Sequence, residues 1–358
     1  MRVSTLLATF VLVSLGAIGG GLATLTPLPL PFMLGSLIIS AGVAMLLPHH
    51  LPEGYRFPQS LRLVFIATIG VMIGAQVTPE LAALIPSMVV SLAALTVFVG
   101  LAHAGNFAIF YHLGGYDRAT AFYSGTPGGL MESITMGEEA GANVAVLGMQ
   151  QFLRIILVIT LVPVGLSLWY GAPVGSAGGI SFSPARAGQT GLTDLPLIAA
   201  VGAAGLWIGL KFRLPAGQLT GPLFAAAMLG LSGVGAPALP DWLIHVAQIV
   251  IGTSLGLRFI GLARSDLTRG IWLGLLSVTA MLALGTMLAL AVHGMTGTPF
   301  DVALISFAPG GVTEMALVAL SLNANPALVS AHHIYRIILT VVEISLLDKL
   351  RRRRGDAL

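Results

Sequence analysis

Long apolar stretches follow one another along the whole chain, separated by short segments rich in Gly, Pro or charge. A helix that crosses a bilayer needs about 20 mostly apolar residues. Only 9% of the residues are charged, against about 25% in soluble proteins, so a soluble enzyme or a DNA-binding regulator is nearly excluded. Ten stretches are predicted to span the membrane: 5–22, 30–47, 61–77, 82–102, 143–168, 195–210, 217–235, 242–260, 270–293 and 327–347.

Two further apolar segments, 118–140 and 300–322, are interrupted by the same tripeptide, at Pro127-Gly128-Gly129 and at Pro309-Gly310-Gly311. Pro removes a backbone donor and Gly lowers helix propensity, so the chain is predicted to stop and to restart as a half-helix. Non-helical backbone at membrane depth is tolerated where it is buried in protein or lines a wet cavity. One such break fits a packing kink as well as a binding site. Its repetition favours a site.

The two broken segments belong to an internal duplication. An offset of 182 residues, 309 minus 127, aligns the two PGG motifs and continues without a gap, pairing Arg154 with Arg336. Towards the N-terminus the offset becomes 186, and Gly19 then pairs with Gly205. Shared apolar composition does not explain matches that are concentrated at Gly, Pro and ionisable residues. The predicted organisation is a first membrane repeat at 1–170, a linker at 171–194, a second repeat at 195–350 and a basic tail at 351–358.

Positive charge orients the repeats, because Lys and Arg near span ends favour the cytoplasm. If each broken segment crosses the membrane, the bases of the second repeat between Lys211 and Arg269 lie outside. If each is re-entrant, the second repeat is inverted and these bases lie inside. We therefore predict an all-α polytopic membrane protein of two inverted repeats with cytoplasmic termini. Each repeat has about five transmembrane helices and one broken, re-entrant PGG segment, an arrangement typical of secondary transporters.

Two carboxylates, Glu132 and Glu314, fall in the first turn after the breaks. At the start of a half-helix a carboxylate complements the positive end of the helix dipole, so each residue serves at least as a cap. An ionisable group inside a membrane is costly enough that function is the default hypothesis. A proton or a sodium ion bound with the help of exposed carbonyls is the functional alternative.

Two arginines, Arg154 and Arg336, lie about ten residues into their spans, roughly 15 Å deep at 1.5 Å per residue. At that depth each must find a carboxylate, backbone carbonyls or a bound anion. A structural ion pair with Glu132 or Glu314 and direct contact with a substrate both remain open. Glu343, seven residues after Arg336, is a competing partner.

The remaining polar candidates are amides and histidines. Asn143 and Asn325 open the spans after the breaks, where N-capping is the favoured role. His332 and His333 match Gln150 and Gln151 of the first repeat, and a proton relay is one interpretation of them. Histidines at predicted helix ends, namely His49, His50, His103 and His112, are expected at the interface. The chain has no Cys, and with no other nearby His we expect no metal site and no cofactor.

The paired segments SGTPGGLMESITMGEEAGANVAVLGMQQFLRI and SFAPGGVTEMALVALSLNANPALVSAHHIYRI resemble the duplicated membrane domain of the AbrB family of bacterial inner-membrane proteins. The resemblance covers nearly the whole chain and implies a multi-pass protein of the inner membrane. Members carry labels such as ammonia monooxygenase or transcriptional regulator. A monooxygenase needs a metal or cofactor site, and a DNA-binding regulator needs a soluble domain, so neither label suits these residues.

The expected function is secondary transport of a small polar or anionic solute, coupled to protons or sodium. The alternative is a membrane sensor that binds a ligand without transport and affects gene expression indirectly. An enzyme is disfavoured because the chain has no Walker, GxSxG, HExxH or dinucleotide motif. The expected partners are the lipid bilayer, the solute and its coupling ion, without nucleic acid, and a homo-oligomer is left open.

Overall fold

The computed structural model describes residues 3–28, 30–77, 85–171, 194–232, 237, 239–260, 264–322 and 324–354, and this part of the chain is helical. It contains fourteen α-helices: α1 Val3–Ala23, α2 Pro31–Leu46, α3 Gln59–Gly74, α4 Ile85–Ala108, α5 Arg118–Ser124, α6 Leu130–Glu139, α7 Val144–Tyr170, α8 Leu195–Lys211, α9 Gly217–Leu231, α10 Asp241–Gly256, α11 Arg264–Thr296, α12 Phe300–Phe307, α13 Val312–Ser321 and α14 Pro326–Arg354. Short helical turns follow α2, α10 and α4, at Pro48–His50, Leu257–Phe259 and Ile109–Leu113.

Helices lie at all ten predicted spans, but α2, α3, α8 and α9 are shorter apolar helices of 15 to 17 residues. The predicted broken segments correspond to α5 with α6 and to α12 with α13. Six helical stretches of the described residues are long and apolar enough to cross a membrane: Ser4–Ala23, Met88–Leu113, Val144–Tyr170, Asp241–Phe259, Thr268–Thr296 and Pro326–Lys349. The chain is a multi-pass membrane protein. Most of the predicted linker, residues 172–193, lies outside the described residues.

The chain divides into two compact units, and each takes segments from both halves of the sequence. Unit 1 comprises Met1–Ala82, Pro163–Leu262 and Ala316–Ala327. Unit 2 comprises Ala83–Val162, Ala263–Met315 and Leu328–Leu358. The units therefore do not coincide with the two predicted repeats.

Glycines set the close helix packing in unit 1, where α2 contacts α1 and α10 while α9 contacts α8 and α3. A Cβ added at Gly19 would lie 2.7 Å from the carbonyl oxygen of Gly35, and one at Gly205 would lie 2.7 Å from that of Gly221. Both distances are too short for a side chain. These four glycines let α1 approach α2, and α8 approach α9, almost backbone to backbone.

The contacts of α10 and α3 give the direction of their neighbours. Ser36 faces Gly252 and Ser40 faces Gly256, so α2 runs parallel to α10. In the same way Leu219 faces Gly70 and Leu223 faces Gly74, so α9 runs parallel to α3.

One apolar cluster of unit 1 joins several helix ends. It consists of Leu12, Ala44, Tyr55 and Leu257, from α1, the end of α2, the loop before α3 and the turn after α10. The Tyr55 hydroxyl lies 2.8 Å from Oγ1 of Thr9 in α1. Helices α2 and α10 therefore point towards this cluster, and α3 points away from it.

Unit 2 surrounds the two breaks. Helix α4 packs against α5 and α11, and α11 packs against α12. Aromatic side chains fill the space between them, with the rings of Phe98 and Phe307 in an edge-to-face contact at 6.0 Å. Tyr123 at the end of α5 is fully buried with Leu147 of α7. This packing holds the short helices on either side of each break in place.

Candidate functional site

The first break separates α5 from α6 in unit 2. Pro127, Gly128 and Gly129 are buried, and Gly129 has a positive φ of 60°, a conformation that favours glycine. The interruption frees backbone carbonyls that a continuous helix would use. A buried side chain of α7, Gln151, supplies a donor for them: its Nε2 lies within 3.3 Å of the carbonyl oxygens of Tyr123, Ser124 and Thr126.

The second break, between α12 and α13, is held in the same way. Pro309 and Gly310 are buried, and His333 of α14 donates from Nε2 to the carbonyl oxygen of Ile305 at 3.1 Å. His333 and Ile305 stand 182 residues after Gln151 and Tyr123, so corresponding residues make corresponding contacts. The amide of Gln151 at the first break and the imidazole N–H of His333 at the second break therefore play the same role as hydrogen-bond donors.

Both predicted arginines are buried in unit 2, Arg154 with 5% and Arg336 with 1% of its surface exposed. Arg336 donates from Nη1 to the carbonyl oxygen of Ala308 and from Nη2 to that of Gly310, both at 2.6 Å. Arg154 donates to the carbonyl oxygen of Pro309 and, at 2.8 Å, to Oε1 of Gln151. Of the partners that the sequence leaves open, backbone carbonyls are those found for both guanidinium groups.

The two breaks meet around these arginines. A Cβ added at Gly128 of the first break would lie 3.6 Å from Nε of Arg336 and 3.1 Å from Oγ1 of Thr340, both on α14. Pro309 of the second break is bound by Arg154 of α7. Each break therefore lies against the arginine-bearing helix of the other half of the sequence. The Nε atoms of both arginines are buried and have no hydrogen-bond partner among the described residues.

The two predicted carboxylates lie over the breaks. Glu314 is buried with 6% of its surface exposed, and Glu132 is half-buried. A Cβ added at Gly129 would lie 3.6 Å from Oε2 of Glu132, and one at Gly311 would overlap Oε2 of Glu314. Each carboxylate thus folds back over the glycine three residues before it, at the start of its half-helix, where the helix dipole stabilises negative charge.

The other predicted site residues have local roles. Oδ1 of Asn143 accepts a hydrogen bond from the backbone of Val146 at 3.2 Å, and Oδ1 of Asn325 accepts one from Ala327 at 2.9 Å. Both amides cap the helix that follows, the role that the sequence favours. Asn325 belongs to unit 1 and the other candidates to unit 2.

His332 has different hydrogen-bond partners from His333. Its Nδ1 lies 2.8 Å from the carbonyl oxygen of Leu328 and its Nε2 lies 2.7 Å from the Ser91 hydroxyl. Within the described ranges, no group of three or more His, Asp or Glu side chains is arranged to hold a metal ion. The site therefore consists of the two breaks, Gln151, His333, two arginines and two glutamates.

One pair of ionisable residues escaped the sequence reasoning. His103 was expected at the interface, and that expectation is wrong: it lies inside α4 with 3% of its surface exposed. Glu343, expected to compete for Arg336, instead approaches His103, with Oε1 3.2 Å from Nδ1. The only sequence signal was an ionisable residue in each span, and nothing in the repeat alignment links positions 103 and 343.

Comparison with known proteins gives the family of the chain. The profile of the family described as "Transition state regulatory protein AbrB" matches residues 32–351. The chain belongs to the AbrB family. Two relatives are the uncharacterized protein YhjN of Bacillus subtilis, 26% identical over 92% of this chain and 89% of its own length, and the putative regulator AbrB of Escherichia coli, 27% identical over 61% and 62%. The AbrB match includes both breaks and both buried arginines.

Proposed function

We propose that this AbrB-family protein is a secondary transporter of a small anionic or polar solute, coupled to protons or sodium. The observation that carries the proposal is the meeting of two broken helices and two buried arginines in unit 2. Interrupted helices that meet in the middle of a membrane protein are where transporters bind solute and coupling ion. A protein that only anchors or scaffolds has no need of buried guanidinium groups, which are costly inside a membrane.

Inverted repeats are part of the proposal, and the contacts within unit 1 support them. The contact of Gly19 with Gly35 recurs at Gly205 and Gly221, at the offset of 186 found in the sequence. Directions support inversion as well: α2 points towards the cluster of Leu12, Ala44, Tyr55 and Leu257, while its counterpart α9 runs parallel to α3, away from it. The counterparts α3 and α10 likewise point in opposite directions.

Two arginine donors left without a partner in the described part of the chain favour an anionic solute. Arg154 and Arg336 bring two positive charges together, and each keeps one buried N–H donor, at Nε, without a partner among the described residues. A buried donor left without a partner costs about 1–3 kcal/mol, so a carboxylate or phosphate that accepts from it is stabilised in return. We therefore expect small carboxylates or oxyanions to bind in preference to cations.

The coupling ion is assigned to Glu132 and Glu314. A carboxylate at a half-helix start is drawn towards ionisation by the dipole and towards neutrality by desolvation, so it can exchange a proton or bind sodium. If instead the residues are purely structural, their neutral variants should fold poorly. The two cases are separated by Glu132→Gln and Glu314→Gln, since glutamine keeps the shape and removes the charge.

The test begins with a thermal-shift series on the purified chain with acetate, succinate, phosphate, sulfate and amino acids. A solute at about 100 times its Kd adds about 2.7 kcal/mol to the free energy of unfolding, which is readily measured. The stabilising solute is then supplied to proteoliposomes under a proton or sodium gradient. Accumulation supports the proposal. If a bound solute never accumulates under either gradient, transport is wrong.

A membrane sensor is the second candidate, favoured by the name "putative regulator" of the relative from Escherichia coli. A sensor binds the same solute at the same breaks and changes gene expression through a partner. Binding without flux in proteoliposomes, together with unchanged binding in the two glutamine variants, would favour the sensor.

A further inference from the structure

Buried His103 and half-buried Glu343 form a pair of titratable groups in unit 2, apart from the two breaks. Nδ1 of His103 lies 3.2 Å from Oε1 of Glu343, and the two side chains are 4% and 20% exposed. Both residues belong to stretches long and apolar enough to span the membrane, Met88–Leu113 and Pro326–Lys349. Ionisable groups at such positions mark ion and proton pathways more often than they serve stability alone.

The other ring nitrogen fixes the chemistry of His103. Nε2 lies 3.0 Å from the carbonyl oxygen of Phe122, and a carbonyl only accepts, so Nε2 carries a hydrogen. That carbonyl is accessible because α5 ends at Ser124. The residue four positions after Phe122, which would donate to it in a longer helix, lies outside α5. The end of α5 at the first break thus also positions the imidazole.

A proton must then lie between Nδ1 and Glu343. Without one, the lone pair of Nδ1 would face a carboxylate oxygen at 3.2 Å, and both atoms are acceptors. Two arrangements satisfy the contact: an imidazolium that donates to a carboxylate, or a carboxylic acid that donates to a neutral imidazole. Both contain the same single proton, and its loss leaves a buried negative charge.

The two other buried histidines of unit 2 have no carboxylate among their hydrogen-bond partners in the described ranges. His332 has a carbonyl at Nδ1 and the Ser91 hydroxyl at Nε2, and the one hydrogen of that hydroxyl is directed to the carbonyl oxygen of Met88 or to Nε2. His333 has a carbonyl at Nε2 and no hydrogen-bond partner for Nδ1 among the described residues. The contact with a carboxylate distinguishes His103 from both.

A cavity connects the pair to its surroundings. Its volume is about 270 Å³, and His103, Glu343, Phe107, Phe122 and Arg118 line it. The exposed Arg118 lines the same cavity, and Oε2 of Glu343 is buried without a hydrogen-bond partner among the described residues.

Two other charged groups on or next to these helices have partners of their own, and α14 also carries Asp348 and Lys349 after Glu343. Asp117 accepts from the backbone of Thr120, and Arg336 binds the second break.

We propose that His103 and Glu343 bind one exchangeable proton that enters and leaves through this cavity. The proton site stands on the geometry of the pair. Its use as the coupling site for solute transport rests on the proposed function. In that case this pair is a proton site in addition to the glutamates at the breaks.

Infrared difference spectroscopy of the purified full chain in lipid, between acid and alkaline pH and in H₂O and D₂O, tests the site with the proton as its own probe. The wild type should give a deuterium-sensitive carboxyl and imidazole transition. Glu343→Gln and His103→Gln should lack it, and Glu138→Gln, which neutralises an exposed carboxylate of α6, should retain it. The amide of Glu343→Gln still donates to Nδ1, so this variant is expected to fold.

The proposal is overturned if the same transition persists in Glu343→Gln. It is also overturned if the spectra of the wild type and of Glu343→Gln show no difference in carboxyl and imidazole bands. Thermal unfolding of each variant confirms that the compared samples are folded. Should His103→Gln fail to fold, Glu343→Gln decides alone. The spectra require no solute, so their failure leaves the transport proposal intact. Absence of flux in proteoliposomes, conversely, leaves the proton site intact.

Discussion

Arginine rather than lysine at position 336 follows from the shape of its partners. The carbonyl oxygens of Ala308 and Gly310 lie on either side of Pro309 in the chain, and each accepts one hydrogen bond from one end of the guanidinium fork. A planar fork matches two acceptors in fixed directions, whereas an ammonium group is a point charge on a flexible stem. The break supplies carbonyl oxygens that have no helical partner, and the arginine supplies the N–H donors for them. The break and the arginine therefore stabilise each other.

We expect Arg336→Lys to lower the free energy of unfolding by about 1–3 kcal/mol, because one buried carbonyl loses its donor. Arg336→Ala should cost more, since both carbonyls lose theirs and a cavity remains. Tryptophan fluorescence during thermal unfolding in detergent measures the change. Arg213→Gln, at an exposed position of unit 1, is the control and should unfold like the wild type. Equal stability of Arg336→Lys and wild type would contradict the role assigned to the fork.

The equivalence of His333 and Gln151 gives a second prediction. His333→Gln should keep the hydrogen bond to the carbonyl oxygen of Ile305, as Gln151 does at the first break, and should change stability by less than about 1 kcal/mol. His333→Leu leaves that carbonyl without a donor and should cost about 1–3 kcal/mol. Thermal unfolding separates the two. A proton relay at His333 would instead make His333→Gln stable but alter the pH dependence of uptake, which we do not expect.

The contacts of a site residue can be predicted from the sequence only when its partner is close in the chain. The repeated PGG motif and the cost of burying charge are enough to single out Glu132, Glu314, Arg154 and Arg336. Partner choice was open, because a carboxylate, a carbonyl and an anion all satisfy a buried arginine. The approach of Glu343 to His103 brings together residues on α14 and α4, and no periodicity in either helix indicates such a contact.

At the scale of helices, apolar length and the PGG motifs account for much of the outcome. The hydrophobic stretches predict each long helix, and Pro with Gly predicts where α5 and α12 end, because both act through the local backbone. Which helices pack together is not predictable in the same way. In a membrane the lipid is as apolar as a leucine side chain. Hydrophobicity therefore favours placing a helix in the membrane but does not determine which helix it packs against.

Small residues carry the missing information on packing, and they lead to a third prediction. Gly19→Ala and Gly205→Ala should each destabilise the protein by about 1–3 kcal/mol, because a Cβ would lie 2.7 Å from a backbone oxygen that cannot move aside alone. Gly21→Ala is the matched control: it has open space around its Cβ, and replacing a helical glycine there should be neutral or stabilise by about 0.5–1 kcal/mol. Thermal unfolding of the three variants measures the effects. Loss of stability at only one of Gly19 and Gly205 would count against equivalent contacts in the two halves.

For the whole molecule, the two compact units differ from the two halves of the sequence. Unit 1 combines α1 to α3 with α8 to α10, and unit 2 contains both breaks. Two similar halves of a sequence suggest one domain each, yet α2 packs against α10 and α3 packs against α9. Close contacts between helices of the two halves therefore build unit 1. This sorting separates the helices that pack by glycine contacts from those that carry the charged site.

Charge at one end of unit 1 bears on the orientation of the protein in the membrane. Arg56, Arg62 and Arg258 line one cavity of about 730 Å³ together with Tyr55, at the start of α3 and the end of α10. Helix α8 runs opposite to α9, because Gly205 faces Pro222 whereas Gly209, further along α8, faces Gly217. Since α9 points away from the end that holds Tyr55, α8 points towards it, and Lys211 at the last residue of α8 lies in that direction. Basic residues from both halves of the sequence thus favour the same side, the cytoplasmic one.

The last prediction is that the loops at Arg62, Lys211 and Arg264 and both termini face the cytoplasm. The chain has no Cys, so single cysteines report their own position without a background. Arg62→Cys and Lys211→Cys should react with a membrane-impermeant maleimide only after the membrane is permeabilised, whereas Thr24→Cys, at an exposed position in the turn after α1, should react in intact spheroplasts. If each broken segment crossed the membrane, both repeats would begin inside and Lys211 would lie outside. Labelling of Lys211→Cys in intact spheroplasts, with Arg62→Cys protected, would therefore replace the inverted repeats by parallel ones.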